Sequence, residues 1–472
     1  MNAVMSYSEF LASKQHQPPS SGIACEPGDT HPGLFEFQRH GTAWAVRRGR
    51  AALWFDAGLG KSRCQVEWAR QLGEPTIILA PLTVTHQTVQ EAAAIGVDLR
   101  YVLDGPEAAR VLADDPRAQV ITNYERLHLF DTSRFGSVVL DESSVLAPYS
   151  GTVKRALINA FRRTPYRLSC SATPAPNDIE ELCNHADFLG VMSPAEMRST
   201  FFIADSRGQF MRYRLKGHAE GAFYTWLASW AMACRIPSDL GFSDSGYLLP
   251  PLTITDHLIP SSWVAEDELF TVELKGITQR AQVRRDTAAE RVARAVELVT
   301  AEPDEQWIVW CGLNDEADAA TKAIPGAVNV QGSDSTDEKA ERLSAFARGE
   351  IRVLVTKPSV AAYGLNFQSC ARMVFVGLSD SFQLYYQAIR RCYRFGQQRP
   401  VHAHIVLTEL ESVIAENVRA KERTAAATSQ GLIAAIASEN RRELFAGTSK
   451  GDDYSPSKPV EIPRWLRTEE AA

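Results

Sequence analysis

A glycine-rich loop between an apolar run and a helical pattern most constrains how this chain can fold. The run at 51–55 has the length of a buried strand. The loop after it supplies the residues expected of a phosphate-binding site, which are Gly58, Gly60, Lys61 and Ser62. Glycines let backbone amides approach an anion, the lysine reaches the β- and γ-phosphates, and the serine hydroxyl is a ligand for Mg²⁺. Taken alone, this short motif is also typical of an ordinary strand-to-helix turn, and Phe55 stands where the full pattern has glycine.

The composition is that of a globular chain with more than one domain. At 472 residues the chain exceeds what a single core usually supports. The net charge of −7 gives no general attraction to nucleic acid, so any such contact must be local. The 8 cysteines include no Cys-x-x-Cys pair, which argues against a zinc ribbon, and we expect reduced thiols in a cytoplasm. No apolar run is long enough to span a bilayer, so no membrane partner is expected.

Short apolar runs alternate with helical patterns along two parts of the chain. They lie at 51–55, 76–80, 119–122, 137–140 and 167–170, and again at 307–311, 327–330, 351–356, 373–376 and 402–407. This alternation is typical of parallel sheets covered by helices, so we expect an α/β fold with two parallel-sheet lobes. The expected divisions are a mobile leader at 1–30, a first lobe at 31–192, a mainly helical and hairpin insertion at 193–265, a second lobe at 266–410, a helical extension at 411–446 and a disordered tail at 447–472.

Two acidic residues follow the fourth run of the first part. Asp141 and Glu142 stand at the carboxyl end of the predicted strand, where ligands of open α/β sheets bind. Asp141 is a candidate for holding Mg²⁺, and Glu142 is a candidate for activating an attacking water. An acidic pair after a strand is also a common helix cap, and only the phosphate loop on another strand of the same sheet favours the catalytic interpretation.

Three further polar residues flank the expected nucleotide site. Gln38 precedes the loop on a helical pattern, and its amide can both donate to and accept from the edge of adenine, although a surface glutamine is the simpler interpretation. Ser171 and Thr173 follow the run at 167–170. Their hydroxyl groups either couple the site to a neighbouring domain or serve as ordinary turn residues before Pro174.

The second part of the chain carries an arginine-rich helical segment where the first has a phosphate loop. Arg391 and Arg394 are three residues apart and therefore share one helix face. Guanidinium groups so placed can stabilise the charge that develops on a transferred γ-phosphoryl group. A basic helix in a solvated patch is the alternative interpretation.

The stretch at 201–215 predicts a β-hairpin that turns near Gly208. Its alternation places Arg212 and Arg214 on one face, and arginines among aromatic residues suit the phosphate backbone of DNA. A solvated basic face is the other interpretation.

These motifs, taken in order, resemble those of the superfamily 2 helicases and, among them, the Snf2-like ATPases. The resemblance runs over 34–407 and is most specific at 387–397, which is similar to the Snf2 form of motif VI. The other segments that resemble family motifs are 56–62, 80–83, 121–125, 141–142, 171–174 and 363–367. The sequence departs from the family where Ser143 and Ser144 replace Gly-His or Ala-His, and where Cys392 and Tyr393 replace Ala-His.

The resemblance implies two RecA-like lobes with ATP and Mg²⁺ in the cleft between them and DNA across both. It also implies that coupling residues are Ser171, Thr173, Gly364 and Gln387, and that DNA-binding residues are Thr83, Asn123 and Thr356, to which the hairpin adds Arg212 and Arg214. The implied function is ATP-dependent translocation on duplex DNA without sequence preference, in the cytoplasm of a bacterial or phage-infected cell. No protein partner is indicated.

Other functional classes stay open on the sequence. A strand-separating DNA helicase would use the same motifs. Glu273 and Lys275 match a Glu-x-Lys nuclease motif with Asp256 upstream, which allows a nuclease or a nuclease-associated motor subunit. A binding scaffold with an inactive ATPase is disfavoured, because Lys61 and Glu142 are both present.

Overall fold

The computed structural model describes residues 21–146, 151–175, 178–205, 212–260, 284–361, 366–379 and 381–445. Within them, two parallel sheets flanked by helices form two lobes, which confirms the α/β fold expected from the alternating apolar runs. No helix in the described ranges is both long and apolar enough to cross a membrane.

The first lobe contains a seven-stranded parallel sheet. Its strands are β1 (Arg50–Phe55), β2 (Thr76–Ala80), β3 (Leu99–Tyr101), β4 (Gln119–Asn123), β5 (Ser137–Asp141), β6 (Tyr166–Cys170) and β9 (Ala231–Cys234), in the order β3-β4-β2-β5-β6-β1-β9. Its helices are α1 (Glu36–Arg48), α2 (Lys61–Leu72), α3 (Leu82–Ala93), α4 (Gly105–Asp114), α5 (Thr152–Ala160), α6 (Leu182–Leu189), α7 (Pro194–Phe201) and α8 (Glu220–Ala228). Helices cover both faces of the sheet, so the central strands are buried on both sides and read as continuous apolar runs.

The second lobe contains a six-stranded parallel sheet. Its strands are β10 (Leu252–Ile259), β11 (Trp307–Cys311), β12 (Ala327–Val330), β13 (Val353–Thr356), β14 (Arg372–Val376) and β15 (Val401–Thr408), in the order β10-β15-β14-β11-β13-β12. Its helices are α9 (Ala288–Ala301), α10 (Asn314–Ala323), α11 (Thr336–Ala347), α12 (Pro358–Ala361) and α13 (Phe382–Cys392). Short 3-10 turns in the two lobes lie at Pro27–Asp29, Tyr124–Leu129, Thr132–Arg134, Ser143–Leu146, Ile179–Glu181, Gly217–Ala219, Pro237–Leu240 and Glu409–Glu411.

The stretch expected as an insertion at 193–265 is largely divided between the two lobes. Strand β9 pairs in parallel with β1 and forms one edge of the first sheet, and β10 pairs in parallel with β15 and forms one edge of the second. The predicted hairpin is present as the antiparallel strands β7 (Phe202–Asp205) and β8 (Arg212–Leu215). The sequence did not reveal β9 and β10 because one is only four residues long and the other mixes polar and apolar residues, so both depend on their partner strands.

The expected mobile leader at 1–30 is ordered from residue 21 onward. The amides of Ser21 and Ile23 donate to the carbonyl oxygens of Arg48 and Val46 at the end of α1. Cys25 is buried beneath them. This polar segment is ordered by bonds to a distant helix, which a local pattern does not predict. Residues 1–20 and the expected tail at 447–472 lie outside the described residues.

The expected helical extension is a single helix, α14 (Ser412–Phe445), which reaches from one lobe to the other. Ala415 near its start belongs to the core of the second lobe. Leu432, Ile433 and Ile436 near its end belong to the core of the first lobe. A helix of 34 residues is about 51 Å long, which is enough to connect the two cores directly.

Candidate active site

A cavity of about 460 Å³ lies between the two lobes and is lined by most of the predicted site residues. The first lobe contributes Gln38, Gly58, Gly60, Lys61, Ser62, Asp141 and Glu142, and the second contributes Gln387, Arg391 and Arg394. Residues of the first lobe that are far apart in sequence meet here because the carboxyl ends of parallel strands share one edge of a sheet.

The loop after β1 has the backbone of a phosphate cradle. Gly58 and Gly60 have φ angles of 89° and 72°, which favour glycine. Lys61 Nζ donates to the carbonyl oxygens of Phe55 at 2.8 Å and Asp56 at 3.2 Å. These carbonyl groups hold the lysine at the base of the loop, from which an arriving phosphate group, with its full negative charge, can draw it away.

Gln38 is held by hydrogen bonds within the protein. Its Oε1 accepts from the amide of Phe35 at 2.9 Å, and its Nε2 donates to the carbonyl of Leu59 at 2.9 Å. The side chain therefore fixes the phosphate loop against the start of α1. The amide keeps one further donor and one further acceptor site, and its contact with the adenine edge stays a prediction.

Asp141 is oriented by residues that the sequence did not indicate. Gln65 Nε2 donates to Asp141 Oδ1 at 2.7 Å, and the hydroxyl of Tyr124 donates to the Asp141 carbonyl at 2.7 Å. Burial raises the pKa of Asp141, whereas the Gln65 hydrogen bond and the Lys61 charge lower it. Gln65 lies four residues after Lys61 on α2, so helical spacing was the signal that could have found it.

Glu142 is held in a strained position by two serine residues. Its φ angle of 53° is the only positive one among the non-glycine residues that the structure describes. The hydroxyl groups of Ser144 and Ser171 donate to Glu142 Oε1 at 2.8 Å and 3.0 Å. Burial raises the pKa of Glu142, and Lys61 and these hydroxyl groups lower it. Ser144, which stands where the family has histidine, thus touches the candidate base directly.

A buried histidine connects the segments after β5 and β6. Ser169 Oγ lies 2.9 Å from Ser143 Oγ and 2.8 Å from His185 Nδ1, and His185 Nε2 lies 3.0 Å from the Pro174 carbonyl. Burial lowers the pKa of His185 to about 4, so the ring is neutral near pH 7. Nε2–H then donates to Pro174, and Nδ1 accepts from Ser169. No sequence signal pointed to this residue, because it lies on α6 away from every motif.

Of the predicted coupling residues, Ser171, Thr173 and Gln387 lie close to the catalytic candidates. The amide of Thr173 donates to Ser171 Oγ at 3.0 Å, and this bond orients the hydroxyl that donates to Glu142. Gln387 Oε1 accepts from Arg391 Nη2 at 3.3 Å on α13. Gly364 lies outside the described residues.

Both predicted arginines face the phosphate loop across the cleft. Burial, and then the charge of Arg391, lower the pKa of Arg394 to about 9. A Cβ atom placed on Gly58 would lie 3.0 Å from the amide nitrogen of Phe395, so the segment just after α13 is in close contact with the phosphate loop. Two crowded guanidinium groups beside a glycine loop form an electropositive recess suited to an anion.

The cavity fits a nucleoside triphosphate with Mg²⁺. Arg394 Nε and Gln387 Nε2 are buried donors that line it and have no hydrogen-bond partner among the described residues. Phosphate oxygens would supply the acceptors that these donors need. Ser62 and Asp141 would hold Mg²⁺ through oxygen atoms, and the bound ion would neutralise phosphate charge.

The predicted DNA-binding residues are less accessible than expected. Thr356 is buried and its hydroxyl donates to the Val330 carbonyl at 2.8 Å, so a DNA contact would require this bond to break. Asn123 is also buried and donates to Glu125 Oε2 at 2.7 Å. Arg214 is exposed on β8.

For other predicted residues, the structure describes only the backbone or does not include the residue among those it describes. Only the backbone is described for Thr83, at the start of α3, and for Arg212, on β8. Glu273 and Lys275 of the nuclease alternative lie outside the described residues. Asp256 forms an ion pair with Arg419 of α14.

Comparison with known proteins places a helicase domain in the second lobe. Residues 290–396, from α9 to the end of the arginine segment, match the helicase conserved C-terminal domain. A segment of 84 residues is 32% identical to the bifunctional helicase and thymine dioxygenase JBP2 of Leishmania infantum. The same protein of Leishmania tarentolae is 33% identical over 84 residues. Each match covers 18% of this chain and 8% of the relative, so the chain spans under a tenth of the length of these curated relatives.

Among solved structures, the chain is similar to the SWI2/SNF2 ATPase core of Sulfolobus solfataricus in complex with dsDNA. The TM-score is 0.41 and the identity 17%, over 89% of this chain and 99% of that chain. The match at 290–396 shows a helicase C-terminal domain in the second lobe, which agrees with the resemblance to superfamily 2 helicases that the motifs indicate.

Proposed function

We propose that this helicase-like chain is an ATP-dependent translocase that moves on duplex DNA without separating the strands. The observation that supports it best is that a single cavity is lined by residues of both lobes. The first lobe provides the phosphate loop and the acidic pair, and the second provides the arginine pair. Hydrolysis then requires both lobes, so the relative position of the lobes and the state of the nucleotide are coupled.

In this mechanism the residues of the two lobes have separate tasks. Lys61 leaves its carbonyl partners to bind the β- and γ-phosphates. Glu142, fixed by Ser144 and Ser171, accepts a proton from the attacking water. Arg391 and Arg394 stabilise the charge that develops on the transferred phosphoryl group. Loss of the γ-phosphate weakens the arginine contacts, and the cleft can reopen.

Movement of one lobe against the other would then advance the protein along DNA. The lobes are joined by the segment between β9 and β10 and by α14, which contributes residues near its start to the second core and residues near its end to the first. Contacts to the phosphate backbone fix position without reading base edges, so sequence preference should be weak. The exposed Arg214 on the β7–β8 hairpin is a candidate for such a contact.

The hairpin also supports the alternative of strand separation. It is an antiparallel pair whose strands pack against the core of the first lobe, and a hairpin is an element that can part a duplex. Each base-pair step costs about 1.4 kcal/mol to open, so a motor without an element that keeps the strands apart would see them re-pair. The family resemblance at 387–397 favours translocation over this alternative.

Two substrates distinguish the two functions. The first is duplex DNA carrying a triplex-forming third strand, and the second is a forked duplex, each tested with ATP and with a non-hydrolysable analogue. Translocation predicts ATP-dependent release of the third strand while the fork stays paired. Release of the fork strand without triplex displacement would identify a strand-separating helicase instead. ATPase rates with duplex DNA, single-stranded DNA and RNA as separate activators then define the polymer that the motor uses.

A further inference from the structure

An ion pair crosses the cleft beside the nucleotide cavity. Arg390 Nη2, on α13 of the second lobe, lies 2.5 Å from Asp56 Oδ2 at the start of the phosphate loop. The hydroxyl of Tyr386 donates to the other oxygen, Asp56 Oδ1, at 2.7 Å. Arg390 Nε lies 3.2 Å from the same hydroxyl oxygen. Asp56, Tyr386 and Arg390 are called the cleft clasp below.

The cleft clasp is nearly shielded from solvent. The side chains of Arg390 and Asp56 are 16% and 11% exposed. The Arg390 guanidinium lies 5.2 Å from the centre of the Tyr386 ring and 5.6 Å from that of Tyr393. Burial lowers the pKa of Arg390, but the Asp56 carboxylate and the Tyr386 hydroxyl raise it by more, so the pKa is raised overall. A pair held by ring stacking, a hydroxyl group and low exposure is strongly sensitive to loss of one partner, since the other charge is left without compensation.

Tyr386 and Arg390 of the cleft clasp lie beside Arg391 on one helix, and Arg394 follows two residues after the end of that helix. Tyr386 and Arg390 are four residues apart, and Gln387 and Arg391 follow each of them by one position. Attachment of the first pair to Asp56 therefore fixes the rotation and height of α13 above the phosphate loop. Gln387 and Arg391 are thereby directed into the cavity.

Asp56 itself connects the clasp to the nucleotide-binding lysine. Its carboxylate receives Arg390 and Tyr386, and its carbonyl oxygen accepts from Lys61 Nζ at 3.2 Å. Asp56 Oδ1 also accepts from the amide of Ala57 at 2.7 Å, which holds the carboxylate in place on the loop. The second lobe is thus anchored to a residue whose position is set by the phosphate loop.

We propose that Tyr386 and Arg390 are positioning residues that hold the two lobes together through Asp56 and so place Arg391 and Arg394 against the phosphate loop before nucleotide binds. The effect on turnover rests on the proposed ATPase function, whereas the closure of the cleft does not. Asp56, Tyr386 and Arg390 are not among the residues that line the cavity, so the clasp acts through its neighbours on α13.

A distance between the lobes tests the closure directly. Spin labels at Arg117→Cys and Glu350→Cys, both exposed, lie away from the cleft, and the native cysteines are all buried and so react slowly. Without nucleotide, Arg390→Met should shift the closed-to-open ratio by roughly tenfold toward a longer distance. Arg390→Lys should restore most of the closed population, and Arg399→Met, which loses a pair with Glu305 inside the second lobe, should not change it. An unchanged distance in Arg390→Met would overturn the proposal.

Turnover provides a second, independent test. Arg390→Met should lower kcat by about tenfold or more, Tyr386→Phe should lower it less, and the affinity for ATP should stay within about threefold because Lys61 and Ser62 are unchanged. Asp56→Asn combined with Arg390→Met should lose little more than the worse single variant, and additive losses would contradict a shared clasp. A wild-type chain without nucleic-acid-stimulated ATPase activity would overturn the proposed function, and the label distance would still decide whether the clasp closes the cleft.

Discussion

Ser171 Oγ lies 3.0 Å from Glu142 Oε1, so a residue of the loop after β6 holds the candidate base at the end of β5. The hydrogen bond favours the charged form of a carboxylate that burial makes harder to ionise. The pH at which the base loses its proton therefore depends on a residue from a neighbouring strand.

This relationship predicts a shift in the pH dependence of turnover. Burial raises the pKa of Glu142 above the ordinary glutamate value of about 4.3, so kcat should fall as the pH falls through that raised pKa. Ser171→Ala removes a bond to the charged form and should move this acid limb to higher pH. Ser199→Ala, an exposed serine on α7, is the control. Profiles of kcat that coincide for wild type and Ser171→Ala would contradict the assignment.

A substitution in the first lobe should abolish nucleotide binding, whereas a substitution in the second lobe should abolish turnover and leave binding intact. Lys61→Ala should lose ATP binding, because it removes the cation that we expect to reach the β- and γ-phosphates. Arg394→Ala should keep binding and lose turnover by roughly three to five orders of magnitude if it acts as a full arginine finger. Fluorescent-nucleotide binding and single-turnover hydrolysis measure the two effects, with Arg399→Ala as the matched control. Near-normal turnover in Arg394→Ala would remove this arginine from the mechanism.

Glu142→Gln should accumulate an ATP-bound state on DNA. The amide keeps the shape of the side chain and leaves Asp141 in place, but it cannot accept the proton of the attacking water. DNA retention measured with ATP should resemble that of wild type with a non-hydrolysable analogue. Glu350→Gln, at an exposed pair with Arg348, should behave as wild type. Fast phosphate release from Glu142→Gln would show that another group is the base.

The hairpin should contribute to DNA affinity by neutralising phosphate groups. Arg212→Ala with Arg214→Ala should lower the slope of log affinity against log salt by about one unit for each phosphate group that the variant no longer neutralises. Titrations at several salt concentrations on two unrelated duplex sequences measure the slope and its sequence dependence. Arg117→Ala, before β4, is the control. If the slope stays unchanged, the arginines form only a solvated face.

The end of α14 should stabilise the first lobe. Ile436 is fully buried in the first-lobe core, so Ile436→Ala should lower the free energy of unfolding by about 2–5 kcal/mol. Ile254→Ala, at a residue that is 37% exposed on β10, should cost clearly less. Urea denaturation followed by tryptophan fluorescence measures both. A loss from Ile436→Ala well below about 2 kcal/mol would contradict the prediction that the end of α14 stabilises the first lobe.

Local sequence patterns determined where the central strands of both lobes lie along the chain. Strands such as β2 and β11 were predicted at their observed bounds, because a buried parallel strand is a continuous apolar run whatever its partners are. The sequence also singled out the phosphate loop, the acidic pair and the arginine pair, which line one cavity in the structure. The loop and the acidic pair combine a residue type with a fixed position at the end of a strand. The expected shared helix face of Arg391 and Arg394 is wrong, because α13 ends at Cys392 and Arg394 lies just after it.

Only the tertiary structure decided how these parts are connected. Strands β9 and β10 exist through pairing with β1 and β15, and their own sequences do not specify it. The bond from Ser171 to Glu142 and the ion pair from Arg390 to Asp56 join residues 29 and 334 positions apart. Such contacts depend on how strands and lobes are arranged in space, and no local periodicity of the sequence records that arrangement.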